Sequence, residues 1–132
     1  MDYIRYYTPV IVQLIAYAGF ALGGNWVFLG IASLPILGLI DTLLPNDMRP
    51  RAMQRGLVAD LPIWLSTILA VGLYLMAAWW AGTAAGITGW QCAGAILSLA
   101  WMSVVPLVPA AHELYHQRGK IRRFLGTYSQ VC

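Results

Sequence analysis

Four long apolar stretches divide the chain. They run from about Tyr7 to Leu22, Trp26 to Leu44, Leu61 to Ala81 and Trp90 to Ala111. A membrane helix needs about 20 apolar residues, with a range of about 17 to 25. The last three stretches meet that length and the first is at its lower edge. Gly23-Gly24-Asn25 leaves only a tight link between the first two, which predicts a helical hairpin. Strands fail as an alternative, because open sheet edges leave backbone groups unpaired in lipid. The pattern predicts an all-α, polytopic membrane protein. Its four transmembrane helices form a single membrane domain over residues 1–132.

Composition supports that solvent. Hydrophobic residues make up 60% of the chain and charged residues 10%, where a soluble domain carries about 25% charged residues. A soluble globule so poor in charge could not cover its surface, whereas lipid tails can face apolar side chains all round a helix. The placement of charge then orients the chain. With four crossings, the amino terminus, the Pro45–Asp60 loop and the tail after His116 fall on one side. All eight Lys and Arg residues lie in those three places. The positive-inside rule makes that side cytosolic. The expected location is the inner (cytoplasmic) membrane, multi-pass, with both termini in the cytosol.

The basic loop reads as this topology signal rather than a lipid-head-group site, and no nucleic-acid partner is expected. Trp79, Trp80 and Trp90 bracket the neutral Gly82–Gly89 segment and read as an interfacial belt rather than a substrate cage. Cys92 and Cys132 fall near opposite faces, so no disulfide is expected between them. No cleavable signal peptide and no internal repeat are evident.

Candidate chemistry concentrates in His112-Glu113-Leu114-Tyr115-His116. The two histidines are the only ones in the chain. At four-residue spacing they share one face of a helix. From Trp90 to His112 is about 33 Å of helix at 1.5 Å per residue, close to a hydrocarbon core of about 30 Å. The pair therefore falls at the cytosolic boundary. Neutral imidazoles are common metal ligands. The motif alone leaves two chemistries open. On a zinc protease helix the histidines bind zinc and the glutamate acts as base; in membrane di-iron oxygenases the first histidine box has the same spacing. A third possibility is a four-helix membrane protein with no catalytic role.

The segment Ala111-His112-Glu113-Leu114-Tyr115-His116-Gln117-Arg118-Gly119 resembles the first histidine box of the integral-membrane alkane monooxygenase family. The longer stretch from His112 to Cys132 looks like the hydroxylase component of xylene and p-cymene monooxygenases. So do Asp41-Thr42-Leu43-Leu44-Pro45-Asn46-Asp47 and Ala59-Asp60-Leu61-Pro62-Ile63-Trp64. The resemblance covers nearly the whole chain, in order. It implies a helical membrane fold related to the fatty-acid desaturase and hydroxylase architecture, with a di-iron site at its cytosolic end. It also implies insertion of one oxygen atom from O2 into a methyl or terminal carbon of an apolar hydrocarbon. Electrons would come from a redox partner, a ferredoxin-type reductase or a rubredoxin.

Of the family's iron ligands, only the first box matches here, and it carries over to His112 and His116. Two imidazoles do not complete two iron sites. The expectation is therefore a piece of a longer protein, interrupted before the remaining boxes and inactive by itself. Asp41, at the cytosolic end of the second stretch, has two readings. It hydrogen-bonds a metal-bound imidazole from outside the ligand set, or it is a solvated carboxylate near Arg49 and Arg51. Glu113 has the same supporting role open to it. Gly72, Ala77, Ala78, Gly94 and Ala95 read as close helix packing, ahead of an approach path for an apolar substrate.

Overall fold

The computed structural model of the protein describes residues 7–43 and 57–104, with Phe124 and Thr127. Every element among them is helical. α1 spans Thr8–Leu22, a 3-10 turn spans Gly24–Phe28, α2 spans Leu29–Leu43, α3 spans Leu57–Thr83 and α4 spans Gly89–Met102. The expected stretches are recovered in order. The fourth was expected to reach Ala111, and its last residues lie outside the described part.

Local chemistry explains the boundaries. Pro9 sits in the first turn of α1, where its missing N–H has no intrahelical partner to lose. Gly23 ends α1 with φ 68°, and its N–H donates to the Gly19 carbonyl at 3.0 Å. Gly24 follows at φ 56°, so the chain turns through two left-handed residues where a Cβ would be strained. Gly23 alone stands between the two helical segments, and the link is shorter than the three residues expected. Thr88 caps α4 reciprocally: its hydroxyl accepts from Gln91 N–H at 3.3 Å, while Gln91 Oε1 accepts from Thr88 N–H at 3.1 Å.

Packing sets the topology. Along α1, Gln13, Tyr17 and Phe20 meet Ser66, Leu69 and Trp80 of α3 in rising order, so these helices run parallel. Along α2 and the turn before it, Phe28, Ile31 and Ser33 meet Trp90, Ser98 and Trp101 of α4 in rising order. The chain thus runs up, down, up and down. Its core holds Val12, Ala16, Phe20, Val27, Leu73 and Met102.

The small residues mostly pack. A Cβ on Gly72 would stand 2.1 Å from the Tyr17 hydroxyl, and one on Gly94 would stand 2.5 Å from the Phe28 ring. Ala77 and Ala95 are buried. Ala78 is the exception and faces outward. The tryptophan belt needs a correction. Trp79 and Trp90 are exposed, but Trp80 is only 5% exposed and packs edge-on to Phe20 with ring centroids 5.9 Å apart. Adjacent helical positions lie about 100° apart; Trp79 falls on the outer side with Ala78, and Trp80 turns into the bundle.

The outside of the bundle is apolar. Leu14, Leu39, Ile68, Leu75, Ile96 and Leu97 are all about half exposed or more. Large exposed apolar surfaces mark sites that meet a membrane or another protein. Among the described residues, two helical runs are long and apolar enough to cross a membrane, Gly24–Leu43 and Asp60–Thr83, while Thr8–Leu22 is shorter.

Candidate metal centre and the bundle that supports it

Four residues were singled out from the sequence. His112, Glu113 and His116 lie outside the described residues. Asp41 is described: it sits in the last turn of α2 and is exposed. Asp60 opens the first turns of α3, and Cys92 is exposed near the start of α4. Among the described residues, no group of three or more His, Cys, Asp or Glu side chains comes together to hold a metal ion. The described helices support one another in the stretch of chain that precedes His112.

That support is built from polar contacts inside an apolar shell. Gln13 is fully buried, and its Nε2 donates to the Ser66 carbonyl at 3.0 Å. Tyr17 Oη donates to the Leu69 carbonyl at 2.9 Å. Both bonds tie α1 to α3. On the other side, Ser98 is fully buried; its Oγ donates to the Val27 carbonyl at 2.7 Å and accepts from Ile31 N–H at 3.0 Å. One turn further along α4, Trp101 Nε1 donates to Ser33 Oγ at 2.9 Å, and Ser33 Oγ donates to the Gly30 carbonyl at 2.7 Å. Buried polar groups of this kind need such partners inside the bundle.

These polar residues were missed as a group in the sequence. The available signal was their type: Gln13, Ser33, Ser66 and Ser98 interrupt otherwise apolar runs. A polar side chain in such a run has to find a partner inside the bundle.

Two parallel helices, α2 and α4, lead toward the same end of the bundle. Asp41 marks that end on α2. On α4 the described residues stop at Val104, and His112 follows eight positions later in the chain. A shallow surface dimple lies between α3 and α4, lined by Ala70, Leu73, Tyr74, Leu99, Met102 and Ser103. The Tyr74 and Ser103 hydroxyls hydrogen-bond to each other beside it.

The described residues form an all-helical bundle with polar ties inside and an apolar exterior, and a two-histidine motif follows later in the chain. Among known proteins, the chain is similar to the xylene/toluene monooxygenase hydroxylase component of Pseudomonas putida. The two are 41% identical over 120 residues, which cover 89% of this chain and 32% of that protein. The likeness bears out the resemblance read from the sequence, and the chain spans about a third of that relative's length. No family model matches the chain, and no solved structure matches it.

Proposed function

We propose that the protein to which this stretch corresponds is a membrane monooxygenase that hydroxylates methyl or terminal C–H groups of apolar hydrocarbons, xylene- or toluene-like or alkane. It uses O2 and electrons from a separate redox protein. The observation that carries this reading is the 41% identity to a xylene/toluene monooxygenase hydroxylase component across 89% of the chain. That likeness does not favour a zinc protease built on the same two histidines.

In this reading His112 and His116 hold iron through neutral imidazole nitrogens, with further ligands from elsewhere in the protein. Iron supplies the activation of O2 for C–H oxidation. The chain's own residues do the rest. The apolar exterior of the bundle keeps the protein in the bilayer, where such substrates dissolve. The polar ties between helices hold α2 and α4 in register, so that Asp41 and the histidines share one end. Asp41 and Glu113 orient the imidazoles by hydrogen bonds, as carboxylates commonly do for metal-bound histidine.

Four crossings of the inner membrane, with both termini cytosolic, complete the proposal. The motive is the placement of all eight Lys and Arg residues. Thr83→Cys probes it, since Thr83 is exposed at the far end of α3. A cysteine there is expected to react with impermeant reagent from outside the cytosol; labelling from the cytosolic side alone would exclude this topology.

The metal assignment is tested in the full-length protein by His112→Ala and His116→Ala. Each is expected to lower iron per protein and abolish hydroxylation, while membrane insertion continues because the apolar helices drive it. Normal iron content and turnover in both variants would remove the histidine pair from the site and the mechanism with it.

A further inference from the structure

We infer that Ser98 is a positioning residue: its hydroxyl is spliced into the backbone of α2 and sets the direction in which α2 carries Asp41 relative to α4. In an unbroken α-helix the Ile31 N–H would reach the Val27 carbonyl directly. Here the chain changes from a 3-10 turn to an α-helix at Leu29. Ser98 Oγ stands across that change, donating to Val27 O at 2.7 Å and accepting from Ile31 N at 3.0 Å. The rung from Ile31 one turn on is also missing, because Pro35 has no N–H to offer the Ile31 carbonyl. The helical ladder is thus interrupted on both sides of Ile31. A helix interrupted in this way takes its direction from whatever bridges the gap.

Three further observations fix the bridge to α4. Ser98 is fully buried, so water does not compete for its hydroxyl. Gly30 admits it: a Cβ there would stand 2.7 Å from Ser98 Cβ and 2.9 Å from Ser98 Oγ. Trp101, one turn on, adds a second tie through Ser33 to the Gly30 carbonyl. The separations of 67 residues for Ile31 and Ser98 and 68 for Ser33 and Trp101 differ by one, so these two ties follow each other along the parallel pair.

The lever is long enough to matter. From Ile31 to Leu43 is about 18 Å of helix at 1.5 Å per residue. A reorientation of about 20°, the scale of a helix kink, moves the far end by about 6 Å. That exceeds the tolerance of a metal site, which is about 0.5 Å.

The test measures distances between spin labels in the full chain in phospholipid bilayers, with Cys92→Ser and Cys132→Ser as background. One pair, Leu43→Cys and Val104→Cys, reports the ends of α2 and α4. A control pair, Leu22→Cys and Trp79→Cys, reports α1 against α3. All four positions are exposed. Ser98→Ala is expected to shift or broaden the first distance by about 3 to 6 Å and leave the control unchanged. Trp101→Phe is expected to move the same pair less, and it decides the matter if Ser98→Ala does not insert. An unchanged first distance, or equal movement of both pairs, overturns the inference. The bearing on Asp41 rests on the proposed function. The measurement uses neither iron nor turnover, so failure of the positioning role and failure of the histidine site are scored separately.

Discussion

The two helix pairs of this bundle are tied by the same kind of bond put to different uses. Between α1 and α3, Gln13 and Tyr17 donate to the carbonyls of Ser66 and Leu69. Those carbonyls lie inside α3, where the helical ladder already engages them. The side-chain bonds are additions to a helix that stands without them. Between α2 and α4, Ser98 bonds a carbonyl and an N–H at the start of α2, where the ladder is interrupted. That bond replaces a rung. An added bond between membrane helices contributes about 0.6 kcal/mol on average. A buried backbone group left unpaired costs about 1 to 3 kcal/mol. The α2–α4 pair should therefore be the more sensitive of the two to loss of one hydroxyl.

Overpacking is the strongest way to break this contrast. Gly30→Ala forces a Cβ to 2.7 Å from Ser98 Cβ and 3.3 Å from Ala16 Cβ. Neither neighbour is the far end of a flexible side chain, so the helices themselves must part. The expected loss is about 1 to 3 kcal/mol, read from reversible unfolding in mixed detergent. Unchanged stability would show that the α2–α4 seam is looser than the geometry implies.

The smallest effect belongs to the α1–α3 pair. Gln13 Nε2 has its partner, but Gln13 Oε1 is buried without a hydrogen-bond partner. Gln13→Met keeps the length of the side chain and removes both polar ends. The lost bond, about 0.6 kcal/mol, is offset by removal of the unpaired oxygen, about 1 to 3 kcal/mol. Stability is expected to hold or rise slightly in the same unfolding assay. A loss above about 2 kcal/mol would mean that Gln13 bridges more than α1 and α3, and the distinction between added and replacing bonds would fail.

Apolar run length and the glycine-rich breaks were enough, by themselves, to locate α1, α2 and α3 and the start of α4. Apolar runs of about 16 to 22 residues, broken at Gly23-Gly24-Asn25, at the charged Pro45–Asp60 loop and at Gly82–Gly89, read as helices because in lipid the backbone must satisfy its own hydrogen bonds. The resemblance to a hydroxylase family was legible too, because residue identities from Asp41 to Cys132 carry it. The candidate ligands His112 and His116 and the neighbouring Glu113 were legible only as a spacing, and they lie outside the described residues. Which side of each helix faces its neighbours was not legible. In a run that is apolar all round, hydropathy has no contrast to assign a face. Tertiary packing made that choice. It turned Trp80 inward against Phe20 and left Trp79 outside, and it buried Ala77 while exposing Ala78. It also gave Ser98 its role, because a hydroxyl can replace a backbone rung only when another helix comes close enough, and Gly30 is what allows that approach.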